Sequence, residues 1–139
     1  MISARFLAAV AFSLSTAAAH AIHEDAESAY DAGRYAEAVA LYEERGLEGD
    51  VEAQGMAGMM HLMGSSVYGS QVTSDPERAA RWLRAAALNG SIQAQFLLAQ
   101  LYAQGLGAPK NPERAAALLA QATLFSTASS FAQARVSPQ

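Results

Sequence analysis

Met56, Met59, Met60 and Met63 recur at helical spacing beside His61, and thioethers with an imidazole make a ligand set suited to Cu(I). Packing is the plainer use of the same residues, because an internal repeat places Met56 and Met60 where another unit has Leu and places His61 where it has Tyr. No metal or other cofactor is therefore assigned. His23 would stand second or fourth after cleavage behind Ala21 or Ala19, whereas an amino-terminal copper site needs it third. Arg78, Arg81 and Arg84 share a helix face on which Arg81 can pair with Glu77 one turn earlier, the pattern of a solvated surface. There is no Cys, which removes disulfides, thiolate zinc and cysteine nucleophiles. No Ser/His/Asp grouping, close carboxylate pair with a pocket, phosphate-cradling glycine loop or His-Glu-x-x-His pattern occurs. The residues point away from an enzyme.

The 139 residues are 52% apolar and 16% charged, enough for one modest domain and too apolar for disorder. Ala dominates the apolar fraction while β-branched and aromatic residues are sparse, which favours an all-α chain. Residues 1–21 differ from the rest: Arg5, an uncharged run from Phe6 to Ala19, then Ala19-His20-Ala21, the order of a signal peptide. The run falls short of the roughly 20 residues that span a bilayer. Export to a periplasm or beyond the cell is expected, with cleavage after Ala19 or Ala21 and no stable membrane insertion afterwards. Charge is lopsided: residues 22–52 carry ten acidic groups against Arg34 and Arg45, and residues 53–139 carry six basic against three acidic. An acidic entry end argues against a nucleic-acid surface, which needs a basic stripe along much of the molecule.

The repeat positions everything else. Gly49-Asp50-Val51-Glu52-Ala53-Gln54 is echoed 41 positions later by Gly90-Ser91-Ile92-Gln93-Ala94-Gln95, and the echo continues through Met56 and Leu97, Met60 and Leu101, His61 and Tyr102, Gly64 and Gly105. After a longer loop in the first copy, Asp75-Pro76-Glu77-Arg78-Ala79-Ala80 is matched by Asn111-Pro112-Glu113-Arg114-Ala115-Ala116. A degenerate unit stands upstream, through Tyr30, Gly33, Ala38, Leu41 and Gly49. Each unit reads as two helices. Asp50, Asp75, Ser91 and Asn111 are N-cap residues, Pro76 and Pro112 suit the first helical position, and Gly49 and Gly90 suit the left-handed C-terminal one. The expected helices are Glu24 to Ala32, Tyr35 to Arg45, Val51 to Met63, Pro76 to Leu88, Ile92 to Gln104 and Pro112 to Thr123. Trp82 is the largest anchor, and Val51, Met56, Met60, Leu83, Ile92, Leu97, Leu98, Leu101, Leu118 and Leu119 are expected to fill the seams. Residues 124–139 are expected to fold back as a cap or to be disordered, with an amphipathic stretch from Thr127 to Arg135 covering the last seam.

Ala-Gln-x-x-Leu-Ala-x-Leu-Tyr-x-x-Gly-x-Gly at Ala94 to Gly107, Asn-Pro-x-x-Ala at Asn111 to Ala115 and Ala-Ala-x-x-Gly at Ala86 to Gly90 resemble the Sel-one-like repeat family, relatives of the tetratricopeptide repeats. Ala99 replaces the usual Gly, His61 replaces the usual Tyr, and Gly64 to Ser74 is longer than usual. The resemblance covers about Val51 to Thr123, with a tetratricopeptide-like helix pair before it. It implies an all-α, short right-handed α-solenoid of about 2.5 helix-turn-helix repeats over residues 22–123, six helices plus a C-terminal cap. It also implies a non-enzymatic protein-interaction scaffold, binding a protein or peptide on a concave face lined by the first helix of each unit. The candidate contact residues are then Glu52, Met59 and Met63 in one unit and Gln93, Phe96, Gln100 and Gln104 in the next, with Tyr68 and Gln71 of the long loop as further candidates. A cell-wall glycan binder, stacking sugars on Phe96, Tyr102 and Tyr68, and a secreted host-directed factor are the alternatives. Exposed end seams in so short a stack would also allow a homodimer.

Overall fold

The computed structural model describes residues 25–136, with side chains described to residue 132. The expected leader and His23 lie outside the described residues. The helices are α1 (residues 25–31), α2 (Tyr35–Leu47), α3 (Val51–Met63), α4 (Ser65–Tyr68), α5 (Pro76–Leu88), α6 (Ile92–Gln104) and α7 (Pro112–Val136), with a 3₁₀ turn at Gly69–Gln71 and no strand among the described residues. The long helices stack in chain order, α2 on α3, α3 on α5, α5 on α6 and α6 on α7. This is a short α-solenoid, in which each helix pair buries its apolar face only against its neighbours.

The borders follow the cap chemistry. Asp50 accepts from the Ala53 amide at 2.9 Å, Asp75 from Arg78 at 2.9 Å, Ser91 from Ala94 at 3.2 Å and Asn111 from Arg114 at 2.9 Å. Gly49 and Gly90 end α2 and α5 with φ of 95° and 93°, a region open to glycine at no steric cost. The core falls into two clusters. One gathers Ala26, Ala38, Tyr42, Ala57 and Met60 around the first helices, and the other gathers Leu83, Ala87, Leu98, Leu101 and Ala115. Small residues allow close approach: a Cβ added at Gly58 would lie 2.7 Å from Leu83 Cγ, and one at Gly46 would lie 2.7 Å from the Trp82 ring.

Two expectations fail at the C-terminal end, each for its own reason. Leu83 is fully buried, but its counterpart Leu119 is 41% exposed, because no helix among the described residues packs over it. The chain also does not turn back after Thr123. Asn89-Gly90 stops α5, whereas the matching positions in α7 are Phe125-Ser126, which supply no left-handed residue, so the helix continues to Val136. Leu124, Phe125 and Phe131 remain exposed on it. Extended this way, Pro112–Ala132 is long and apolar enough to cross a membrane by length and composition. Its first half is engaged with α6 through the buried Ala115 and Ala122. Replacing Phe125 by Asn together with Ser126 by Gly is expected to end α7 near Leu124. Carbon chemical shifts of residues 127–136 would then lose their helical offset while stability changes by no more than about 0.5 kcal/mol.

Candidate protein-interaction surface

The first helices of the two clear units, α3 and α6, flank a groove of about 480 Å³ whose lining includes Glu52, Gly55, Met59 and Gln93. Three of the expected contact residues therefore share one concavity. Met63 is 37% exposed and Phe96 38%, and Gln100 and Gln104 are exposed on α6. These positions follow one another at intervals of three or four, so they continue the face that Glu52 and Gln93 begin. Gly55 and Phe96 occupy the same place in the two units, and nothing lies within 4 Å of a Cβ built at Gly55. The first unit thus leaves room where the second presents a ring.

The loop candidates have other work. Tyr68 is 4% exposed, its ring centroid 4.9 Å from that of Tyr35 and 6.0 Å from that of Tyr30. Gln71 caps α2 from a distance. Arg34 offers no side-chain cap, and Gln71 Oε1 accepts from the Tyr35 amide at 2.9 Å while its Nε2 donates to the Gly33 carbonyl at 2.9 Å. The stretch expected as an open loop folds into α4 and the 3₁₀ turn and binds the degenerate first unit to the second. The methionines do not share one surface either: Met60 is fully buried and Met63 is exposed.

Sequence reasoning missed two polar devices. Gln54 and Gln95 are buried at equivalent positions and donate from Nε2 to the Gly46 and Ala87 carbonyls at 2.9 and 3.4 Å, tying each first helix to the helix before it. Asn89 donates to Gln54 Oε1 at 3.2 Å, whereas Gln95 Oε1 has no hydrogen-bond partner among the described residues, since Phe125 stands at the position matching Asn89. The second device centres on Glu43. His61 Nε2 lies 2.8 Å from its carboxylate, Trp82 Nε1 donates at 3.0 Å and Arg78 Nε at 2.8 Å. Burial opposes ionisation of Glu43, but the hydrogen bonds from His61 and Trp82 and the Arg78 charge outweigh it and hold the carboxyl below its usual range. A lone Glu 18 residues before a His carries no spacing signal; only the packing of α2, α3 and α5 joins them.

The second unit has a different cluster at the matching place. Arg84 Nη2 and Arg114 Nη1 lie 3.3 and 3.4 Å from the Tyr102 hydroxyl, and the Arg114 guanidinium sits 5.6 Å from the centre of the ring. Tyr102 is 5% exposed, and despite that burial the hydrogen bonds and charges of the two arginines hold its hydroxyl below the ordinary phenol range.

A stack of capped helix pairs, with exposed side chains in register along its first helices, defines a helical-repeat protein. The chain belongs to the Sel1 repeat family, whose description matches residues 51–91 and 92–124, together 74 of the 139 residues. Proteins of this family are typically protein–protein interaction scaffolds and generally non-catalytic. Among solved structures, a Sel1 repeat protein from Oxalobacter formigenes is 32% identical with a TM-score of 0.56, over 63% of this chain and 24% of that one. A protective antigen present in uropathogenic Escherichia coli strains, displaying an SLR fold, is 26% identical with a TM-score of 0.59, over 70% of this chain and 22% of that one. The chain thus spans about a quarter of the length of these structures. No curated protein matches the sequence.

Proposed function

We propose that this protein is a non-enzymatic adaptor of the cell envelope, periplasmic or secreted, that holds a protein or peptide segment in the groove between α3 and α6. The observation that carries this reading is the division of labour on those two helices. Ala53, Ala57, Met60, Ala94, Leu98 and Leu101 are consumed by the core, while Glu52, Met63, Gln93, Gln100 and Gln104 stay exposed at matching positions. Amide side chains can bond the backbone of an extended segment, and Met adapts to irregular apolar side chains. The export half of the reading rests on residues 1–21. Glycan binding is less well supported, because stacking needs exposed aromatic faces, and of the three rings expected to supply them Tyr68 and Tyr102 are buried and Phe96 alone is exposed, at 38%. Affinity capture from a native envelope extract tests the adaptor reading. A chain with Met59, Met63, Gln100 and Gln104 changed to Ala is expected to lose one specific protein while its helicity is unchanged. Retention on cell-wall material with no protein captured would overturn the reading.

A further inference from the structure

The second unit carries a pocket where the first has a filled cluster. By the repeat register, Arg84 stands where Glu43 stands, Tyr102 where His61, Arg114 where Arg78 and Leu118 where Trp82. In the first unit the space is occupied: the Trp82 ring packs over Gly46 and its N–H donates to the Glu43 carboxylate, which Arg78 and His61 also hold. Two changes empty the matching space in the second unit. Leu118 is smaller than an indole, and Arg84 brings a second cation where the carboxylate would come from. What is left is a cavity of about 350 Å³ between α5, α6 and α7, with Arg84, Tyr102 and Arg114 around it and Ala87, Leu98 and Leu118 as apolar wall. Among the described residues no carboxylate pairs with either arginine. Both guanidiniums reach the same neutral hydroxyl, an arrangement that a bridging carboxylate would relieve through charge-assisted hydrogen bonds.

We propose that this pocket binds the C-terminal carboxylate of a partner protein whose last residue has a bulky apolar side chain. The carboxylate takes the role that Glu43 has in the first unit, and the terminal side chain takes the room that the Trp82 indole fills there. A chain terminus carries both groups on one residue, which fits a site with cations on one side and an apolar wall on the other. Inorganic phosphate would satisfy the arginines and leave the wall bare. The proposal rests on the protein-binding reading but shares no residue with the groove between α3 and α6.

The test titrates the full chain with an acetylated Gly-Ser-Gly-Trp peptide bearing a free carboxyl terminus, followed through the Nε–Hε resonances of Arg84 and Arg114. The C-terminally amidated peptide, N-acetyl-tryptophan and inorganic phosphate are titrated in parallel. The free peptide is expected to shift both resonances and to bind at least tenfold more tightly than its amide. Arg84→Gln and Arg114→Gln are each expected to weaken it tenfold or more with helicity retained. Met59→Ala with Gln100→Ala is expected to change nothing. Equal binding of the amide, or no binding at all, overturns the pocket. N-acetyl-tryptophan carries both recognised groups and is expected to bind as the peptide does, and its failure to bind would overturn the pocket as described. Equal binding of phosphate would make it an inorganic-anion site and overturn the assignment to a protein terminus. Loss of peptide only in the Met59→Ala, Gln100→Ala chain would place the peptide in the groove, ending this proposal and leaving the adaptor reading intact.

Discussion

Glu43→Ala is expected to lower stability by about 2–4 kcal/mol, the range for removing one partner from a largely buried charged network. The cost falls mainly on what is left behind. The Trp82 indole N–H and the His61 ring lose their acceptor inside the fold, and His61 is 9% exposed by side chain; Arg78, 46% exposed, recovers water instead. Glu43→Gln keeps an acceptor for Trp82 but removes the charge, and is expected to cost less. The pH dependence has a defined sign. The Glu43 carboxyl is held below its ordinary value of 4.5, so its stabilisation is fully present above that value and is lost as pH falls through the lower folded value. Thermal denaturation of the Ala variant should therefore show a lower midpoint at neutral pH and a shallower loss between neutral and acid pH than the parent. Equal midpoints at pH 7 would mean that the cluster contributes nothing to the fold.

The contact between α3 and α5 should show the second large effect, and one that is not additive. Leu83→Ala removes a fully buried side chain and is expected to cost about 2–5 kcal/mol. Gly58→Ala puts a methyl 2.7 Å from Leu83 Cγ and 3.2 Å from its backbone nitrogen. It is expected to destabilise despite the roughly 1 kcal/mol that Ala gains over Gly inside a helix, because overpacking costs about 1–3 kcal/mol. In the Leu83→Ala background the same methyl enters the vacated space. Gly58→Ala should then stabilise, giving a coupling of at least about 1 kcal/mol in a double-mutant cycle read by denaturant unfolding. Additive effects would show that the two helices do not approach as closely as described.

What was legible in the sequence was local. Asp50, Asp75, Ser91 and Asn111 each mark a helix start by a side chain bonding three residues ahead, and Gly49 and Gly90 mark stops by backbone freedom, so α3, α5 and α6 could be bounded to the residue. The groove residues were legible because the 41-residue echo carries Glu52 to Gln93 and Met59 to Gln100. What escaped depends on contacts distant in sequence. Gln71 caps a helix that begins 36 residues earlier, and Glu43 meets Trp82 across 39, neither spacing having any periodic signature. The exposure of Leu119 escaped for another reason: a repeat pattern treats Leu83 and Leu119 alike, and they differ only in that no helix among the described residues packs over Leu119. The stop at Asn89-Gly90 and its replacement by Phe125-Ser126 are both written in the sequence, and that difference accounts for the greater length of α7.

A photo-crosslinking amino acid at Gln100, compared with the same group at Arg81 on the exposed side of α5, tests the adaptor account most directly. With the full chain, residues 1–21 included, expressed in native cells, the account predicts a discrete crosslink to one envelope protein from position 100 and none from position 81. Crosslinks of equal pattern from both positions, or from position 81 alone, would contradict it.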